Sequence, residues 1–254
     1  RLMDASVDIM TQPDEVIPEF LHAVLCQVSL PRKSTDARHF ERNSGKVHIR
    51  IEAGTQFDGM KWVDQPMPYG ARPRLVLVHL CTEAVRTGQA EIDVGSSVRE
   101  FLHRLGGIES TGGSKGTYTM FRKQMQALAA CTLRMSYPVG DRIANIQAPP
   151  IEEFQAWIKS DAEGQTVLWP GVMKLSPRFF DSLREHAVPL DGRALAALKH
   201  SALALDLYAW LGHRLCRVRK SEGVRVSWAS LKDQFGEEYR NPKDFKKEVR
   251  STLR

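Results

Sequence analysis

Val47, Ile49 and Ile51 alternate with His48, Arg50 and Glu52, the period of two that marks a strand with one buried face. Most of the remaining chain carries a helical period instead. Phe20, Leu21, Val24 and Leu25 predict a short amphipathic helix ended by Pro31, and the polar stretch 32–45 reads as loop. Residues 53–73, with Gly54, Gly59, Pro66, Pro68, Gly70 and Pro73, read as a turn-rich connection. A helix is expected from Arg74 to about Thr87, burying Leu75, Val78 and Val85, followed by a short strand over 91–95. Ser97 is placed to cap a helix through Leu105, which Gly106 and Gly107 would end.

After a Ser/Gly-rich loop over 110–116, a helix is predicted from Tyr118 to Ala130. Strands over 131–137 and 142–147, joined at Pro138–Asp141, complete a hairpin. Residues 151–158 read as a short helical excursion holding Phe154 and Trp157, and 166–175 as an extended segment. Ser176 and Pro177 suit the start of a helix over Phe179, Phe180 and Leu183. Pro189–Gly192 is the best domain junction in the sequence, giving an N-terminal unit 1–189 and a C-terminal unit 190–254. Beyond it lie one long helix from Arg193 to about Val218, a strand-like 224–227, and a helix Trp228–Phe235 closed by Gly236.

The last fifteen residues organise this pattern. On a helix, Phe245, Val249 and Leu253 share one side, and Lys243, Lys246, Lys247, Arg250 and Arg254 converge on the other. The same plan occurs earlier: Phe121 and Met125 match Phe245 and Val249, while Thr119, Arg122, Lys123 and Gln126 match Lys243, Lys246, Lys247 and Arg250. Each half reads as helix, short strand, helix ending in Gly, loop and basic helix, with Ile92–Val94 set against Val224–Val226 and Gly106 against Gly236. This is the order of a winged helix-turn-helix. The expected fold is therefore α+β: two tandem winged helix-turn-helix domains, predominantly helical with small antiparallel hairpins. The first copy has a candidate wing at 131–147, and the second predicts a hairpin just past Arg254. An initial Arg and a final residue inside a helical pattern make both ends read as boundaries within a longer chain.

Charge sharpens the picture. Residues 1–211 hold 24 Lys/Arg against 24 Asp/Glu, and residues 212–254 hold 12 against 6, so the net charge of +6 lies entirely in the final segment. Concentrated positive charge favours a polyanionic partner. Arg250 and Arg254 are forked donors suited to base edges, whereas Lys243, Lys246 and Lys247 suit phosphates, with Arg240 and Asn241 leading into the helix. In the first copy, Ser114 and Lys115 of the glycine-rich loop would meet phosphates, beside Thr119, Arg122, Lys123 and Gln126.

Signatures of other chemistry are weak. Gly107–Lys115 lacks the Gly-Lys-Ser/Thr ending of a phosphate loop, and Cys26, Cys81, Cys131 and Cys216 form no metal-binding pair. His200 and His213 have no second ligand nearby in sequence, and Asp206 reads as a hydrogen-bonded contact between helices. The five tryptophans, Trp62, Trp157, Trp169, Trp210 and Trp228, read as packing residues. A binding protein is expected rather than an enzyme, with no cofactor and no metal, and the scattered thiols suit a cytoplasmic setting without a membrane span.

The runs GIESTGGSKGTYTMFRKQMQALAAC, HSALALDLYAWLGHRL and SWASLKDQFG, then FKKEV, together with PYGARPRLVLVHLCTEAVRTG, resemble the RepA-type plasmid replication initiators, over most of the chain from about Leu30. The resemblance implies two winged-helix domains acting in the bacterial cytoplasm on repeated origin sites, the iterons. It also implies a monomer that opens the origin and a dimer, joined largely through the first domain, that represses its own gene. A host replication initiator and the replicative helicase are the implied protein partners. A tandem winged-helix transcriptional repressor, or a scaffold binding an acidic partner, fits the same residues.

Overall fold

The structure, a computed structural model, describes residues 7, 9–11, 18–108, 116–153 and 171–253. Among these the architecture is a mixed α+β fold built on several small antiparallel sheets and two hydrophobic clusters.

The alternating segment is a strand, β3 (Val47–Glu52), with Val47, Ile49 and Ile51 buried. It is not alone in its sheet. The polar stretch expected as loop contains β2 (His39–Ser44), which pairs with β3 in register Phe40↔Ile51 across a turn at Gly45. That turn needs a φ of +60°, which favours glycine. On the far side β3 pairs with β7 (Thr132–Val139), and β7 with β8 (Arg142–Ala148), giving the order β2-β3-β7-β8. The predicted hairpin 131–147 is therefore present, but as the outer half of a four-stranded sheet. The polar face of that sheet is tied by Arg50 to Glu41 at 2.7 Å and Glu52 at 3.0 Å, and by Arg134 to Glu52 at 3.1 Å.

Several other expectations change where a remote partner decides the local structure. Phe20 and Leu21 lie in strand β1 (Pro18–His22), not in a helix, and only Ala23–Gln27 forms helix α1. β1 pairs antiparallel with β11 (Ala187–Asp191), so the stretch 189–192 that read as an open junction is strand followed by the first residue of a helix. The turn-rich stretch 53–73 contains a hairpin, β4 (Thr55–Phe57) and β5 (Trp62–Asp64). Its Trp62 is 71% exposed beside Phe57, so that tryptophan is not a core residue. Residues 151–153 are strand β9 (Ile151–Glu153), pairing with β10 (Val172–Leu175), which also pairs with β6 (Glu91–Asp93). The rest of the expected excursion, with Phe154 and Trp157, and Trp169 lie outside the described residues.

The helices follow their sequence signals more closely. Helix α2 (Ala71–Thr87) starts three residues earlier than expected and ends at Gly88, whose φ of +68° is the left-handed cap. Helix α3 (Val98–Arg104) is capped by Ser97, whose side chain accepts from the Glu100 amide. Helix α4 (Thr117–Ala130) buries Phe121, Gln124, Met125 and Leu128. Helix α5 (Pro177–His186) has its proline in the first turn, and the Ser176 hydroxyl donates to the Pro149 carbonyl at 2.6 Å. The single long helix is two: α6 (Gly192–Leu198) and α7 (Ala202–Leu215), broken at 199–201 because Ser201 caps α7 through the Ala204 amide. Residues 224–227 form no strand, so the second half lacks the counterpart of β6. Helices α8 (Trp228–Phe235) and α9 (Pro242–Thr252) close the described chain.

The main core joins the four-stranded sheet to α2–α5 and β11. The smaller cluster gathers Leu203, Leu207 and Trp210 of α7 with Phe235, Phe245 and Val249 of α8 and α9. Helix α7 serves both, because Leu205 and Ala209 face the main core.

Candidate nucleic-acid interface

Helices α8 and α9 are short and joined by residues 236–241, so neither is stable by itself and each depends on the apolar cluster beneath. Phe245 and Val249 are completely buried there. Burial of such side chains contributes roughly 1.5–3 kcal/mol each, which fixes the rotation of α9 about its axis. Leu253 departs from the expected stripe: it sits at the C-cap and is 57% exposed.

With that face committed, Lys243, Lys247 and Arg250 are exposed and Lys246 is half-buried, all on the outward side. Arg240 is exposed just before the helix. Asn241 is its N-cap: the side-chain oxygen accepts from the Lys243 amide at 2.9 Å, a structural use of that residue. Trp228, at the start of α8, holds two of the cations. The Lys246 ammonium lies 5.8 Å and the Arg250 guanidinium 5.4 Å from its ring centre. Cation–π contacts of this kind are worth about 0.5–1 kcal/mol at exposed sites and reduce the freedom of long side chains. Trp228 packs on the smaller cluster as expected, and its cation-holding edge was not evident from the sequence.

The other predicted group lies on α4. Phe121 and Met125 are buried, Lys123 is exposed, and Thr119, Arg122 and Gln126 are half-buried. The group is less open than α9 because α4 packs within the main core against α2, β9 and β4. Ser114, Lys115 and Arg254 lie outside the described residues. The predicted residues thus form two groups on two helices in separate clusters.

Sequence reading missed the polar contacts that set the pose of α8 and α9. Glu238, between the two helices, receives hydrogen bonds from the Arg32 amide at 3.0 Å and the Arg32 guanidinium at 2.6 Å, and pairs with Arg42 at 3.4 Å. Burial opposes ionisation of Glu238, but Arg32 and Arg42 outweigh it and hold the carboxyl below its ordinary value. The Gln234 amide donates to the Gln27 carbonyl at 2.6 Å. Deeper in, Asp206 of α7 forms a two-pronged pair with Arg74 of α2, at 2.7 and 2.8 Å, a stronger contact than the expected hydrogen bond. These partners lie more than 130 residues apart in the chain, and no local pattern joins them.

The class defined by this arrangement is an α+β protein presenting cations on a helix that follows a short helix and turn. The chain belongs to the family of plasmid-encoded RepA proteins, which matches residues 67–231, from the segment before α2 into α8. Its fold is similar to that of domains 2 and 3 of RctB, with a TM-score of 0.54 and 11% identity over 91% of this chain and 85% of that one. No curated protein matches significantly. Among the described residues no helix is long and apolar enough to cross a membrane.

Proposed function

We propose that the chain is a sequence-specific duplex-DNA-binding protein that initiates plasmid replication at repeated origin sites. Family membership supports the replication role. The observation that carries the DNA reading is α9: Phe245 and Val249 are buried, so Lys243, Lys247 and Arg250 face outward, following a short helix and a turn. In this reading α8 and α9 are the helix-turn-helix of a C-terminal unit, 190–254, and α9 enters the major groove. Helices α3 and α4 with the β7–β8 hairpin make the matching winged unit within 1–189. Arg250 then reads base edges, Lys243, Lys246 and Lys247 anchor phosphates, and Lys123 with Arg122 adds a weaker contact.

Iteron recognition, autorepression by a dimer joined through the first unit, and cooperation with a host initiator and helicase complete the proposal. The function is binding, not catalysis. Selecting bound sites from random duplex DNA tests it. Directly repeated sites in phase favour an initiator, a single inverted repeat favours a repressor, and no enrichment rejects the DNA reading.

A further inference from the structure

The C-terminal end of α7 and the chain leading into α8 carry a second concentration of positive charge. Residues 213–225 contain Arg214, Arg217, Arg219, Lys220 and Arg225 with a single carboxylate, Glu222. Four of those cations, with His213 and Trp210, line a groove of about 410 Å³ that Gln27 and Ser44 also line, and no carboxylate lines it. Structural duties absorb part of the charge. The Arg214 guanidinium lies 5.5 Å over Trp210, and Arg217 donates to the His213 carbonyl at the helix end. Arg219, Lys220 and Arg225 lie beyond the last turn, are exposed, and pair with no carboxylate among the described residues. Like charges gathered without a counter-ion repel one another. His213 registers this: burial, then Arg217 and Arg214, push its pKa down to about 4.

We propose that this groove is a binding site for backbone phosphates of duplex DNA, contacted by Arg217, Arg219 and Lys220 of its lining, with Arg225 next in the chain to the lining residue Val224, alongside the helix α9 contact. The proposal rests on the DNA reading above. Continuity favours DNA over an acidic protein segment. Arg225 stands three residues before Trp228, whose ring carries Lys246 and Arg250, so the basic run after α7 leads along the chain into the residue that holds the α9 cations. Forked guanidinium groups suit phosphate oxygens, and a shallow exposed groove admits a backbone rather than a base.

The test compares the wild-type chain, Arg219→Ala/Lys220→Ala, Arg225→Ala and Lys243→Ala/Lys247→Ala on a selected duplex and on a random-sequence duplex across a salt series. Each lost phosphate contact lowers the slope of log affinity against log salt by about 0.9. The Arg219/Lys220 variant is expected to lose about 1–2 from the slope equally on both duplexes, and Arg225→Ala up to about 1, with unchanged melting temperatures. Unchanged slopes in both groove variants, while the Lys243/Lys247 variant weakens, would overturn the groove and leave the α9 reading standing. Absence of duplex binding by the wild-type chain would overturn both.

Discussion

His22 is completely buried, and its hydrogen bonds define its protonation. Nδ1 accepts from the Val24 amide at 3.1 Å, so the proton resides on Nε2, which points at the Ser182 hydroxyl 2.8 Å away. Burial, with His186 nearby, lowers its pKa from 6.5 to about 3. The sign follows directly: the unfolded chain takes up a proton below 6.5 and the folded chain does not. Stability from this residue is thus present above pH 6.5 and lost as pH falls toward 3. Denaturation midpoints should fall through that window, and His22→Gln should flatten the dependence while lowering stability at neutral pH. An unchanged slope in the variant would reject this origin. Asp206 invites a larger effect. Its partner Arg74 has 6% side-chain exposure and also donates to the Leu30, Pro31 and Gly70 carbonyls. Asp206→Ala leaves a buried guanidinium without its carboxylate, and a loss of about 3–5 kcal/mol is expected in chemical denaturation. The double variant Arg74→Met/Asp206→Leu should recover much of it.

Elements whose cause is local were legible in the sequence. β3 alternates, α3 begins at Ser97, α9 begins at Asn241 and Pro242, and Phe121, Met125, Phe245 and Val249 of the basic helices are buried where their spacing placed them, Leu253 alone departing from its stripe. β1 and β11 were not legible, because each is a strand by virtue of a partner elsewhere, as Phe20 opposite Pro189 illustrates, and β2 was not because His39–Ser44 is polar at all positions but Phe40, although its partner β3 follows directly. The break between α6 and α7 was hidden because leucines keep a helical rhythm across it, although Ser201 offered a cap signal. At the candidate interface, the outward cations followed from spacing, whereas the hold of Trp228 on Lys246 and Arg250 required the fold. The junction of α4 with the β4–β5 hairpin gives an element-scale prediction. A Cβ on Gly54 would fall 1.8 Å from the Ala130 carbonyl oxygen, the last turn of α4. The carbonyl is backbone and cannot swing aside like a side chain, so relief requires the helix end and the hairpin to separate. Gly54→Ala should destabilise by about 1–3 kcal/mol, read as a lower denaturation midpoint. Gly140→Ala, with nothing near the added methyl but a φ of +58°, separates conformational strain from collision.

At the scale of the molecule, the question is what fixes the basic helix relative to everything before α7. Two opposite faces of α7 enter two different clusters, so apolar packing supplies an axle. Rotation about that axle is opposed by polar contacts at a distance from it, chiefly Glu238 against Arg32 and Arg42. The Arg42 side chain has no exposure at all, so Glu238 neutralises a charge that water does not reach. Neither arginine faces outward with the α9 cations: the Arg32 guanidinium donates to Glu238, and that of Arg42 to Glu238 and the Ser29 and Leu30 carbonyls. Glu238→Ala is therefore expected to lower stability by about 2–4 kcal/mol. Under conditions where the variant remains folded, it should weaken binding to a selected duplex without altering the salt slope, since no phosphate contact is removed. Lys243→Ala/Lys247→Ala should do the reverse, reducing the slope while leaving stability within about 0.5 kcal/mol. Denaturation and salt titration of the two variants side by side separate pose from contact. A steeper salt slope for Glu238→Ala would mean that Arg32 and Arg42, freed of their carboxylate, reach the DNA and belong to its surface and not to the contacts that fix the pose of α9.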